Sequence, residues 1–123
     1  MKYRVKQKRN GINDKALYYA VPVWSKLIGT REIAQQLAKR SSFTPADIRT
    51  TLIGLVDVME SYLYDGYSVK LDDLGVFRLS ATSAGYTKAK ECTPYHVRVV
   101  KLCFRTNPQI TKKLKLVKFE RDK

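Results

Sequence analysis

Apolar residues recur at helical spacing through Ile48, Leu52, Val56, Met59 and Leu63, then switch to alternation through Val69, Leu71, Phe77 and Leu79. The first pattern predicts a helix over residues 44–66. Thr44 is its N-cap, Pro45 occupies a first-turn position where a missing amide costs nothing, and Asp47 is placed to reach back as a capping-box acid. Gly66 ends the helix. The second pattern predicts strands over residues 67–71 and 76–80, joined by the tight reversal Asp72-Asp73-Leu74-Gly75.

A shorter helix is predicted over residues 30–40, with Ile33, Ala34, Leu37 and Ala38 on a narrow apolar stripe. It is too short to persist without a packing partner. Residues 41–43 turn the chain between the helices. Residues 2–6 and 17–23 have strand composition and form either a hairpin or two edge strands, with turn-prone Asn10-Gly11 and Asn13-Asp14-Lys15 between them. Tyr18, Tyr19, Pro22 and Trp24 make a compact apolar run, expected to be buried and to attach this segment to the core.

Residues 97–105 supply a further strand. Val100, Leu102 and Phe104 share one parity with Arg98 and are expected to be buried, leaving Lys101 and Arg105 on the side nearer solvent or nucleic acid. Asn107 and Pro108 then cap and start a short helix with Ile110 and Leu114 inward and Lys112, Lys113 and Lys115 outward. Val117 and Phe119 either form a last strand against an N-terminal edge or belong to a basic tail winding around the domain. The expected fold class is α+β. Three segments follow: a β-rich appendage over residues 1–28, a main domain over 29–114, and a basic strand or tail over 115–123.

The connection over residues 81–96 carries Lys88, Lys90 and Glu91 but little apolar material. Connections this long are uncommon in compact domains unless functional or mobile. It is either a projecting arm that touches nucleic acid, with Gly85-Tyr86 at its tip, or a solvated loop.

Charge narrows the choice of partner. The 123 residues hold 24 Lys plus Arg against 11 Asp plus Glu, a formal charge of +13, so a polyanion is the first class to consider. The excess lies in the two ends and the late strand region, whereas the central helix sets Arg49 against Asp47, Asp57, Glu60 and Asp65. A 44% hydrophobic content with regular periodicity is unlike a disordered basic tail. Enzyme chemistry finds no constellation. Asp72-Asp73 lies in a tight turn with no third group, His96 is expected to pack at a strand edge, and Cys92 and Cys103 make neither a metal set nor a catalytic pair. No phosphate-binding glycine loop, signal-peptide pattern or membrane-length apolar run occurs. A soluble intracellular protein without cofactor, metal, membrane or small-molecule substrate is the expectation.

The order helix, turn, longer helix, two strands, long connection, return strand and short helix resembles the HU/IHF family of bacterial DNA-bending proteins. It is most similar to the HU-related branch of Bacteroidetes-type bacteria, which carries an extra N-terminal segment and a C-terminal tail. The resemblance rests on residues 30–40, 44–66, 69–77, 97–104 and 107–114. Leu74-Gly75-Val76-Phe77 resembles the family's glycine turn into an aromatic strand residue, with Leu74 where an aromatic is common. Phe104 resembles the phenylalanine-led approach to the last helix, while Arg105-Thr106-Asn107-Pro108 departs from the usual proline-glycine pair.

The resemblance implies an intertwined homodimer with a helical base, an antiparallel β saddle and two arms around the DNA minor groove, in a cytoplasmic, nucleoid-associated protein. The apolar positions from Ile48 to Leu63 independently outnumber what one short helix covers, so they are expected in a dimer core with Phe77 and Phe104. Phosphate contacts are assigned to Arg78, Lys88, Lys90, Arg98 and Lys101 on saddle and arm. Arg105, Asn107, Lys112 and Lys113 would add contacts near the last helix. Family arms carry a wedging proline near the tip. None occurs over residues 81–93, which leaves Tyr86 as the candidate wedge and makes binding the firmer expectation than kinking. Two other readings stay open: a structural or protein-binding module on the same dimer fold, and RNA binding. The cluster Lys2, Arg4, Lys6, Lys8 and Arg9 is either a second DNA-contacting edge or a charged strand that blocks sheet extension.

Overall fold

The computed structural model describes residues 1–9, 11–12 and 14–122. The element order is β1 (Lys2–Arg9), β2 (Ala16–Val23), α1 (Thr30–Lys39), α2 (Pro45–Tyr64), β3 (Val69–Leu71), β4 (Gly75–Thr82), β5 (Arg98–Thr106), α3 (Pro108–Leu114) and β6 (Glu120–Arg121). The strands form two sheets, ordered β2-β1-β6 and β3-β4-β5. Helices with an antiparallel β3-β4-β5 sheet make this an α+β fold.

Each helix of the central pair carries half of a capping box. At α2 the Thr44 hydroxyl accepts from the Asp47 amide at 3.2 Å. No return bond from the Asp47 carboxylate forms, because aspartate is one methylene too short. At α1 the halves are exchanged: Glu32 Oε2 accepts from the Gly29 amide at 2.6 Å, while Gly29 has no side chain to offer. The end of α2 is a complete Schellman motif. The Gly66 amide donates to the Leu63 carbonyl and the Tyr67 amide to the Tyr62 carbonyl, both at 3.0 Å. Tyr62 and Tyr67 meet edge to face, with ring centroids 5.7 Å apart, as the apolar contact that accompanies this cap.

The turn from β3 into β4 places Asp73 at φ 68° and Gly75 at φ 154°. The Leu74 amide donates to the Leu71 carbonyl, and the Leu74 carbonyl accepts from the Asn107 amide, tying this turn to the start of α3. At α3 the Asn107 side chain accepts from the Gln109 amide at 3.1 Å.

The N-terminal hairpin pairs β1 with β2 along all eight positions. Of its turn-prone link, Asn10 and Asn13 lie outside the described residues, as does Lys123 at the end of the basic tail. The tail forms a strand of two residues directly after Phe119, and not at Val117 and Phe119 themselves, with β6 running parallel to β1 at Lys2 and Tyr3. The Met1 ammonium donates to the Lys118 carbonyl at 2.9 Å, and Arg4 pairs with Asp122.

Burial within one chain is sparse. Ala34 and Leu63 are the buried apolar residues of the described core. Ile48, Leu52, Met59 and Phe77 are half-buried. Within one chain the 10-residue α1 covers one side of the 20-residue α2 and leaves Ile53, Val56, Val58 and Tyr62 open. Val100, Leu102, Phe104 and Leu114 are likewise exposed in the single chain, so the burial expected of Val56 and Phe104 in a dimer core needs a second copy. One expectation is corrected. Tyr18, Tyr19 and Trp24 do not attach the hairpin by burial: the first two lie on an outer strand and all three remain exposed.

Candidate nucleic-acid interface

Register decides which side chains of the β3-β4-β5 sheet act together. Phe77 lies opposite both Val69 and Phe104, and Leu79 opposite Leu102. These residues therefore share one face, where the Phe77 and Phe104 rings stack at a tilt with centroids 4.7 Å apart. The alternate positions form the other face: Val76 opposite Arg105, Arg78 opposite Cys103, and Ser80 opposite Lys101. Arg78, Lys101 and Arg105 are all exposed there. Lys70, opposite Val76, joins the same face. It was missed in the sequence because its flanking Val69 and Leu71 marked the segment as core-facing.

Arg98 reaches this face by a different route. By simple alternation it would share the apolar side of Val100, Leu102 and Phe104. A register shift after Ser80 pairs Ala81 with Val99 and Thr82 with Arg98, with Val100 as the extra residue. One residue of slip exchanges the faces beyond it, so Arg98 follows Thr82, Ser80 and Arg78 onto the basic side.

The connection between β4 and β5 is not an extended ribbon. It folds into short 3-10 turns at Ala89–Glu91 and Pro94–His96. Lys88 and Lys90 are exposed on it. Tyr86 does not stand free at a tip: its ring lies 5.1 Å from that of His96, and it is 37% exposed. His96 accordingly belongs to this connection and not to a strand edge, and its Nδ1 is 2.9 Å from the Thr93 hydroxyl oxygen. Asn107 is occupied as a helix cap and half-buried, while Lys112 and Lys113 lie exposed in the last turn of α3. The residues thus fall into three groups, on the sheet face, the connection and the last helix.

Cys92 is exposed and Cys103 half-buried, both as free thiols. Among the described residues no group of three or more His, Cys, Asp or Glu side chains is arranged to hold a metal. Nor is any described helix long and apolar enough to cross a membrane.

The chain that forms this two-faced sheet and capped helix pair is matched over residues 1–121 by a family model described as an HU domain fused to a winged helix-turn-helix, Ig or glycine-rich motif. The chain belongs to this HU-domain family. Among the solved structures that share the fold are the following two. One, from Bacteroides vulgatus and provisionally assigned as a bacterial DNA-binding protein, superposes with TM-score 0.63 at 11% identity over 98% of this chain. This chain spans 47% of that protein's length. The other is Anabaena HU in a cocrystal with DNA, with TM-score 0.55 at 14% identity over 73% of this chain and 100% of the HU chain. None of the curated proteins compared matches the chain.

Proposed function

We propose that this HU-family chain binds double-stranded DNA with little sequence preference, as an intertwined homodimer that organises the nucleoid. The observation that carries the proposal is the basic sheet face of Arg78, Arg98, Lys101 and Arg105, joined by Lys70, backed by the apolar face of Phe77, Leu79, Leu102 and Phe104. Such a face offers charge for the DNA backbone and gives a dimer partner something to cover. Lys88 and Lys90 on the connection, and Asn107, Lys112 and Lys113 near α3, extend the proposed phosphate contacts. Contacts of this kind position a duplex without reading its bases. Over the chain, residues 29–114 act as the HU-type unit, with the segments before and after it as additions.

Bending is the weaker part of the activity. A sharp kink needs an apolar wedge between base pairs. The folded connection holds Tyr86 against His96, and no proline occurs over residues 81–93. That observation favours a modest bend, with preference for duplexes that are already nicked or flexible. It also keeps alive a second reading, a partner-binding module on the same fold with little bending.

Titration of linear, nicked and RNA duplexes at two salt concentrations, with end-to-end distance reported, tests the proposal. Neutralising about six to ten phosphates lowers affinity by roughly 10³–10⁵ between about 50 and 200 mM salt. Flat salt dependence, or equal preference for RNA, counts against duplex DNA as the partner. Tight binding to a protein with unchanged duplex mobility would favour the second reading.

A further inference from the structure

The N-terminal sheet has two unlike faces. Register sets Lys2, Arg4, Lys6 and Lys8 against Val23, Val21, Tyr19 and Leu17. Side chains alternate along a strand, so these four exposed cations stand in one row, about 6.7 Å from one to the next. That step is close to the separation of neighbouring phosphates along one backbone strand of DNA. The opposite face presents Tyr3, Ala20 and Pro22, which line a depression of about 520 Å³ with Met1 and Phe119. Neither hairpin strand contains a carboxylate. Within the row, Arg4 has an ionic partner: its Nε is 3.1 Å from Asp122 Oδ2.

A charged row can guard a free sheet edge, and β1 has one beyond Tyr3, since β6 pairs with it at Lys2 and Tyr3. The edge open along its whole length is that of β2, whose residues Ala16–Val23 carry no charge. The cations thus leave the longer edge unguarded, and by alternation their side chains stand on the sheet face, where they can meet a surface.

We propose that the row of Lys2, Arg4, Lys6 and Lys8 is a second phosphate-contacting surface for double-stranded DNA, separate from the basic face of β4 and β5. This rests on the chain being a DNA binder, but not on the β4–β5 face being its contact. Four exposed cations bind a duplex weakly alone. Once another part of the protein holds the same DNA, the effective phosphate concentration rises into the millimolar range and the row engages. Val21 and Val23 on this face are half-buried while Leu17 and Tyr19 stand exposed beside Lys8 and Lys6, so an anionic lipid surface is the competing outcome that the vesicle arm of the test separates.

The test is the variant K2Q/K6Q/K8Q, which leaves the Arg4–Asp122 pair in place. Its duplex affinity is measured by fluorescence anisotropy over a range of salt concentrations. If each lysine holds one phosphate, the slope of log affinity against log salt becomes shallower by about 2.7 per protomer. K2R/K6R/K8R keeps the parent slope. Circular dichroism monitors folding, and K6Q alone carries the same test at about one third of the slope change. A folded K2Q/K6Q/K8Q variant with the parent's slope and affinity overturns the inference. So does normal DNA binding by that variant combined with lost adsorption to phosphatidylserine vesicles that the parent protein binds. The variant R78Q/K101Q/R105Q, run in parallel, separates the two surfaces. If it binds like the parent while K2Q/K6Q/K8Q does not, the β4–β5 proposal fails and the N-terminal row stands.

Discussion

Gly75 is the residue whose replacement is expected to cost the most. It is buried at φ 154°, and a methyl group there would strike the Arg105 carbonyl and the Phe104 ring. Gly75→Ala therefore combines an unfavourable backbone conformation with overpacking in a two-ring contact. A loss of about 3 kcal/mol is expected in urea unfolding, with disruption of the Phe77–Phe104 pair. Gly66 is the control. Its φ of 90° also favours glycine, but nothing stands within 4 Å of an added Cβ. Gly66→Ala is expected to cost about 1 kcal/mol, from conformation alone. Thr44→Ala is expected to cost about 1 kcal/mol by removing the acceptor of the Asp47 amide. The roles of Thr44 and Gly66 are legible in the sequence because each cap involves residues a few positions away. That of Gly75 is only half legible, because its neighbours Phe104 and Arg105 arrive on a strand from the far side of the long connection.

Elements carry the same distinction between local and distant causes. Hydrophobic period was enough to find α1, α2 and the strands after them. It could not show that a bulge exchanges the faces of β5, so alternation alone put Arg98 with the wrong neighbours. Nor could it show how the connection folds, since the contact between Tyr86 and His96 spans residues with no periodic relation. The tail is intermediate: a last strand was legible as one of two alternatives, while its parallel register with β1 was not. This strand is held chiefly by backbone bonds, with the Glu120 amide donating to the Met1 carbonyl and the Asp122 amide to the Tyr3 carbonyl. The Arg4–Asp122 pair adds little, because the Arg4 side chain is 64% exposed and solvent screens the charges. Asp122→Asn is expected to change stability by less than about 1 kcal/mol. Deleting residues 118–123 removes the backbone bonds as well, and should speed amide hydrogen exchange along β1 near Lys2 and Tyr3. Unchanged exchange there would mean that β6 does not support the hairpin.

At the scale of the whole molecule, the surface of the single chain is larger than a compact monomer of its mass would expose. Its accessible area is 11460 Å². A compact monomer of 14.2 kDa would expose roughly 6,800 Å². Much of the excess is apolar, and it includes both Ile53, Val56 and Val58 on α2 and Leu102 and Phe104 on β5. Homodimers whose interface resembles a divided core bury about 2,000–5,000 Å², so a second copy is the right size of partner for the missing cover. In the proposed dimer the exposed side of α2 becomes interior. Val56→Glu would then bury a carboxylate at the centre of the base, and loss of dimer and of folded structure together is expected. The parent protein should show an unfolding midpoint that rises with protein concentration, because folding and association are linked. Sedimentation at low micromolar concentration checks both: the parent should run as a dimer, and V56E should not. A parent that is folded and monomeric there would overturn the dimer, and with it any DNA-binding saddle built from two chains.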